Sequence, residues 1–131
     1  DTAAVHRSLL DIVHSPFRLA GSPGDISIDA VYQEAWLLLA TGDTVEAVAS
    51  LDRSLDNLPL QWELPFGLYH GTTGLVAAMA LRATLAAHAK DSTTARRWAQ
   101  AVLELRANSE PGTTPELSAL RSIVASRSGP R

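Results

Sequence analysis

Two stretches decide the fold: Ala35-Trp-Leu-Leu-Leu-Ala-Thr-Gly-Asp-Thr-Val-Glu-Ala47 and, 48 residues on, Ala83-Thr-Leu-Ala-Ala-His-Ala-Lys-Asp-Ser-Thr-Thr-Ala95. Each begins with a small residue, runs through an apolar segment to an aspartate, and reaches a second small residue. Asp43 recurs as Asp91, Leu37 as Leu85 and, further on, Leu55 as Leu103, all at the same offset. The alanines at 35, 47, 83 and 95 have a physical reason. Two helices of a hairpin approach closely only where side chains are short. Gly42 is a natural stop for a helix C-terminus. Asp43 reads as the N-cap of the next helix, with Glu46 three residues later as its capping-box partner. Both stretches therefore read as helix, tight turn, helix.

The pattern extends in both directions. Residues 3–14 carry Val5, Leu9, Ile12 and Val13 at helical spacing. Pro16 ends that helix, and Ser15 to Asp25, with Gly21, Pro23 and Gly24, reads as a loop. A second helix runs from about Asp29 to Ala40, with Val31, Ala35 and Leu38 inside and Leu39 widening the face. A third carries Val48, Leu51, Leu55 and Leu58 on one stripe and closes at Pro59. A fourth runs from about Thr73 to Ala89. A fifth is capped by Asp91 or Ser92, with Ala95, Trp98, Ala99, Val102 and Leu105 inside. After a loop at 108–114, Thr114 caps and Pro115 starts a sixth helix bearing Leu117, Leu120 and Val124 on one side. The tail from Ser126 frays. Trp36 and Trp98 sit on apolar faces and read as core.

The expected fold is therefore all-α: about six helices in antiparallel hairpins, because the links inside each pair are short. One domain spans 1–131, comprising a leading helix and loop (1–25), a first hairpin (29–59), an aromatic insert (60–72), a second hairpin (73–107) and a final helix (114–127).

Composition agrees. The chain has 131 residues, 46% of them apolar and 19% charged, with Ala occurring 21 times, Leu 19 times and aromatics only 5%. Such a chain folds, and it is poor in strand-favouring residues. Cys is absent, which excludes a disulfide scaffold, a thiolate metal site and a Cys nucleophile. The most apolar stretch, Leu75 to Ala89, contains Arg82 and His88 and is shorter than the ~20 residues of a membrane span. A soluble chain is expected, with the cytoplasm ahead of the periplasm or exterior. Ten Arg against one Lys, with abundant Ala, fits a GC-rich bacterial genome. The first residue, Asp1, reads as a processed or trimmed terminus, or as the start of a fragment of something longer.

The net charge of −3 is too mild for nucleic-acid binding through a basic surface. Its distribution is uneven. Residues 1–65 hold three Arg and ten carboxylates, or −7, and residues 66–131 hold seven Arg, one Lys and four carboxylates, or +4. The plain account is that solvated faces differ in charge. The functional one is a polar molecule that aligns with a partner or stacks head to tail with itself.

The hairpin pattern resembles the tetratricopeptide repeat family. There a small residue sits midway in the first helix, Gly-Asp or Gly-Asn makes the turn, Ala follows early in the second helix and Pro ends it. Ala35, Gly42, Asp43, Ala47 and Pro59 match in order and spacing, as do Ala83, Asp91 and Ala95 in the second unit. The resemblance covers residues 29–107. The period here is 48, against the family's ~34, with the excess at the aromatic insert. Ala95-Arg-Arg-Trp-Ala-Gln-Ala-Val-Leu-Glu-Leu105 is similar to the last repeats of large multidomain bacterial proteins. The resemblance implies a short right-handed stack, protein–protein interaction and scaffolding, with no catalysis.

Signals for chemistry are weak. His6 and His14 lie eight residues apart, no HExxH motif occurs, and no metal or cofactor is expected. No G-x-S-x-G stands on a strand. Gly71-Thr-Thr-Gly74 lacks the lysine of a phosphate-binding loop and reads as a helix start. Asp52 and Asp56 share a face that should be solvated, whereas acid–base work needs a pocket. The chain reads as a non-enzyme.

The best functional candidate is the insert Pro59-Leu-Gln-Trp-Glu-Leu-Pro-Phe-Gly-Leu-Tyr-His-Gly71. Trp62, Phe66 and Tyr69, with Leu64 and Leu68, form a candidate partner-binding patch, because Trp and Tyr bury large areas with few rotors. The competing account folds them back as a core plug. Arg96 and Arg97 are candidate contacts for acidic partners, or simply part of a solvated face. Three roles follow: an accessory or scaffold subunit of a larger bacterial assembly, a self-assembling filament unit, or a regulatory domain of a longer signalling protein.

Overall fold

The computed structural model describes residues 1–13, 28–56, 71–107 and 114–126, and the protein is all-α. Six helices occur among these residues: α1 (Thr2–Val13), α2 (Ile28–Ala40), α3 (Thr44–Asp56), α4 (Gly71–His88), α5 (Ser92–Arg106) and α6 (Pro115–Ala125). Each starts or stops within two residues of its expected bound where both are described. The loop at 15–25, the insert residues 60–70, Leu58, Pro59 and the tail from 127 lie outside the described residues.

The chain divides into two compact units, Asp1–Ala78 and Met79–Arg131. In the first, α2 packs on α3, and α1 rests on α2. Val31, Ala35 and Leu38 of α2 are buried, as are Ala47, Leu51 and Leu55 of α3. Ala35 and Ala47 are fully covered, as the close approach of two helices requires. Each buried Leu contributes about 1.5–3 kcal/mol. In the second unit α5 packs on α6, through Ala95, Trp98, Ala99 and Val102 on one side and Leu117 and Leu120 on the other.

The repeat seen in the sequence is present in the hydrogen bonds. After α2, Gly42 N–H donates to Leu39 O (3.0 Å) and Asp43 N–H donates to Leu38 O (2.9 Å). After α4, Lys90 N–H donates to Ala87 O (3.1 Å) and Asp91 N–H donates to Ala86 O (2.9 Å). Both turns are Schellman motifs, which satisfy carbonyls that a helix end leaves without intrahelical donors. Both pass through a left-handed residue: Gly42 at φ 88° and Lys90 at φ 62°. Each aspartate then caps the following helix. Asp43 Oδ1 accepts from Glu46 N–H (2.9 Å), and Asp91 Oδ1 from Thr94 N–H (3.1 Å). Every one of these bonds has its counterpart 48 residues away.

Four expectations are corrected. Glu46 does not close a capping box: Asp43 N–H is already used by Leu38 O, and Glu46 Oε1 accepts from Arg53 Nη2 at 2.7 Å. Trp36 is not core; it is 50% exposed, whereas Trp98 is 6% exposed. Leu105 is 52% exposed, because it lies at the margin of the α5 stripe and in its last turn. Val5 is 51% exposed, and α1 instead turns His6 toward Asp43 and buries Leu9.

Candidate partner-binding surface

The surface is built on α2. An α-helix advances about 100° per residue, so the inner stripe of Val31, Ala35 and Leu38 leaves a defined outer face. Trp36, Ala40, Gln33 and Leu37 fall next to one another on that face, and all four are exposed. Trp36 and Leu37 are 50% and 49% exposed. Tyr32, one turn before Trp36, meets it edge to face, with ring centroids 6.5 Å apart and planes at 86°. This edge-to-face pair narrows the rotamers open to Trp36 while leaving half of it in solvent. An indole held this way is a preorganised apolar anchor. Gln33 is the polar group within the face.

At the N-terminus of α3, Asp43 is the electrostatic focus. Its Oδ1 takes the Glu46 N–H, and its Oδ2 lies 2.9 Å from His6 Nε2. The Glu46 N–H and then the His6 contact hold the Asp43 carboxyl below the ordinary aspartate value. Asp91 is lowered likewise, by the Thr94 side chain first and the Thr94 backbone N–H next, with Arg82 adding a smaller charge effect. Both carboxylates are thus occupied by capping. Among the described residues no group of three His, Asp or Glu is placed to hold a metal ion. Nor is any helix there long and apolar enough to cross a membrane.

The expected site residues fall into two sets. Trp62, Leu64, Phe66, Leu68 and Tyr69 lie outside the described residues, as do His14 and His70. Arg96 and Arg97 are described, and they diverge. Arg96 is half-buried, and its Nη2 donates to Ser126 O at 2.6 Å, tying α5 to the end of α6. Arg97 is exposed and lies over the Trp98 ring, 4.7 Å from its centroid. Arg97 therefore presents charge outward, while Arg96 serves the packing of its own unit. The residues missed in the sequence are Tyr32, Trp36 and Leu37. Their signal was α2 itself, which carries more large apolar residues than one buried stripe accommodates.

Comparison of the chain with protein-family models, curated proteins and solved structures returned no match.

Proposed function

We propose that this chain is a non-catalytic protein–protein interaction module, an accessory or scaffold subunit of a larger bacterial assembly. Its hairpins would be antiparallel and stacked in the manner of tetratricopeptide repeats. The observation that carries the reading is the half-exposed Trp36, braced edge to face by Tyr32 beside the exposed Leu37. Aromatic anchors of this kind dominate binding energy at interfaces. Trp62, Leu64, Phe66, Leu68 and Tyr69 remain partner-binding candidates on sequence grounds, and exposed Arg97, in the other unit, is a separate charged candidate.

The test is site-specific photo-crosslinking from position 36 in the cell that makes the protein, with position 53 as a control on the exposed side of α3. Discrete protein adducts at 36 that Leu37→Ala removes support the reading. The same adduct pattern at 36 and 53 overturns it.

A second reading has its own observation. The segregation of charge between the units favours a self-assembling structural role, and the partner is then another copy.

A further inference from the structure

The boundary between the two compact units falls inside α4, between Ala78 and Met79. Residues 66–78 contain no Asp, Glu, Lys or Arg. The charge imbalance in the sequence therefore follows the units: the first carries −7 and the second +4. The exposed aromatic face belongs to the acidic unit. The basic unit exposes an apolar side chain of its own at the end of α5, the 52% exposed Leu105, between exposed Glu104 and Arg106; Arg97, nine residues before Arg106, lies on the opposite side of the helix.

We infer that the Trp36–Leu37 face of one copy receives the Leu105 and Arg106 surface of a second copy, acidic unit to basic unit. This rests on the interaction-module reading and names the partner. Three observations select a second copy. Each surface carries an exposed large apolar side chain, Trp36 and Leu37 on one and Leu105 on the other, which the contact would remove from water. The units that carry them have opposite net charge, so encounter is steered and like-to-like pairing is opposed. The two surfaces differ, so the contact joins unlike patches of two copies. In such a contact Trp36 supplies the anchor, and Arg106 supplies the charge that the acidic unit attracts.

The experiment is sedimentation velocity of the full chain across a wide concentration range. It is run in low salt, where the Debye length exceeds ~10 Å, and in 1 M salt, where it is ~3 Å. Mass should rise above the 14.0 kDa monomer with concentration in low salt, and association should weaken at least about tenfold in high salt. Trp36→Ala and the double variant Leu105→Ala/Arg106→Glu should each shift the chain to monomer. An equimolar mixture of the two should recover a heterodimer, because each retains the surface the other has lost. Circular dichroism confirms that the variants fold, and Arg106→Glu alone replaces the double variant if that one does not. A mass of 14.0 kDa throughout overturns the inference. So does a mixture that stays monomeric, and so does salt that moves the melting temperature without moving the mass. If crosslinking from position 36 still captures a different protein in those cases, the interaction-module reading stands and only the second-copy assignment falls.

Discussion

Single residues control the two turns, and they do so unequally. Gly42 sits at φ 88°, and a Cβ added there would meet nothing within 4 Å, so space does not limit substitution. The cost of Gly42→Ala is then conformational: about 1 kcal/mol of stability, read from urea denaturation. Lys90 occupies the same place in the second turn at φ 62° and already bears that strain. Lys90→Gly should therefore stabilise the protein, by up to ~1 kcal/mol, and the opposite signs of the two variants are the diagnostic result. Sequence reading anticipated the glycine turn and the Asp43 cap, and it left the second cap between Asp91 and Ser92, because aspartate and serine both suit a helix start. It gave no sign that Lys90 would be left-handed, because lysine carries no such preference. The caps also set a pH dependence. The carboxyls of Asp43 and Asp91 titrate lower in the folded chain than in the unfolded one. Their stabilisation is complete above the unfolded-state value of about 3.9 and is lost as the pH falls through the lower folded values. Asn keeps the cap acceptor but does not titrate. The stability gap between the parent and Asp43→Asn/Asp91→Asn should thus be open at neutral pH and close in acid, as followed by thermal melts at stepped pH. A gap that stays constant down to strongly acidic pH would sink the assignment.

At the scale of elements, the contacts between helices depend on which residues are small. Ala35 and Ala47 have no exposed surface, and Ala95 has almost none. Ala47→Leu forces three more carbons into the α2–α3 contact and should cost about 1–3 kcal/mol by overpacking. Leu51→Ala, one turn further along α3, leaves a cavity in the same contact and should cost about 2–5 kcal/mol. Val45, also on α3 but almost wholly exposed, is the control: Val45→Ala should change the denaturation midpoint little. If Ala47→Leu proves neutral, α2 and α3 are not held at the close separation their alanines imply. Helix positions and inner stripes were legible, because Val31, Ala35, Leu38, Leu51 and Leu55 repeat at helical spacing. What periodicity does not contain is the number of neighbours a helix has. α2 offers Tyr32, Trp36, Leu37 and Leu39 besides its inner stripe, and only the packed structure decides which of these remain in solvent. The same gap explains Val5 and Leu105, apolar residues whose side chains stay half in solvent on otherwise packed helices. It also explains buried Glu34 and Arg82, which occupy equivalent places 48 residues apart and look like surface charges in a linear reading.

For the molecule as a whole, the decisive feature is that charge and compactness share a boundary. The acidic unit carries −7 on residues 1–78, so its folded form is opposed by like-charge repulsion at neutral pH. The basic unit carries +4 and is opposed less. Added salt screens both effects, and it should relieve the acidic unit more. The tryptophans make this measurable. Trp36 reports on the first unit and Trp98 on the second, once Trp62 is replaced by Phe. Trp36 is half in solvent and should emit further to the red and be quenched readily by acrylamide, whereas buried Trp98 should emit to the blue and resist quenching. At protein concentrations low enough to keep the chain monomeric, the urea midpoint in the Trp36 signal should rise with salt by more than that in the Trp98 signal. Single-tryptophan variants retaining one or the other reporter supply the two curves. Equal shifts would mean that repulsion is spread over the chain and does not follow the units. A fall in the Trp36 midpoint would mean that favourable charge pairs outweigh repulsion in the acidic unit. That outcome would also remove the electrostatic reason for an acidic surface to seek the basic surface of another copy.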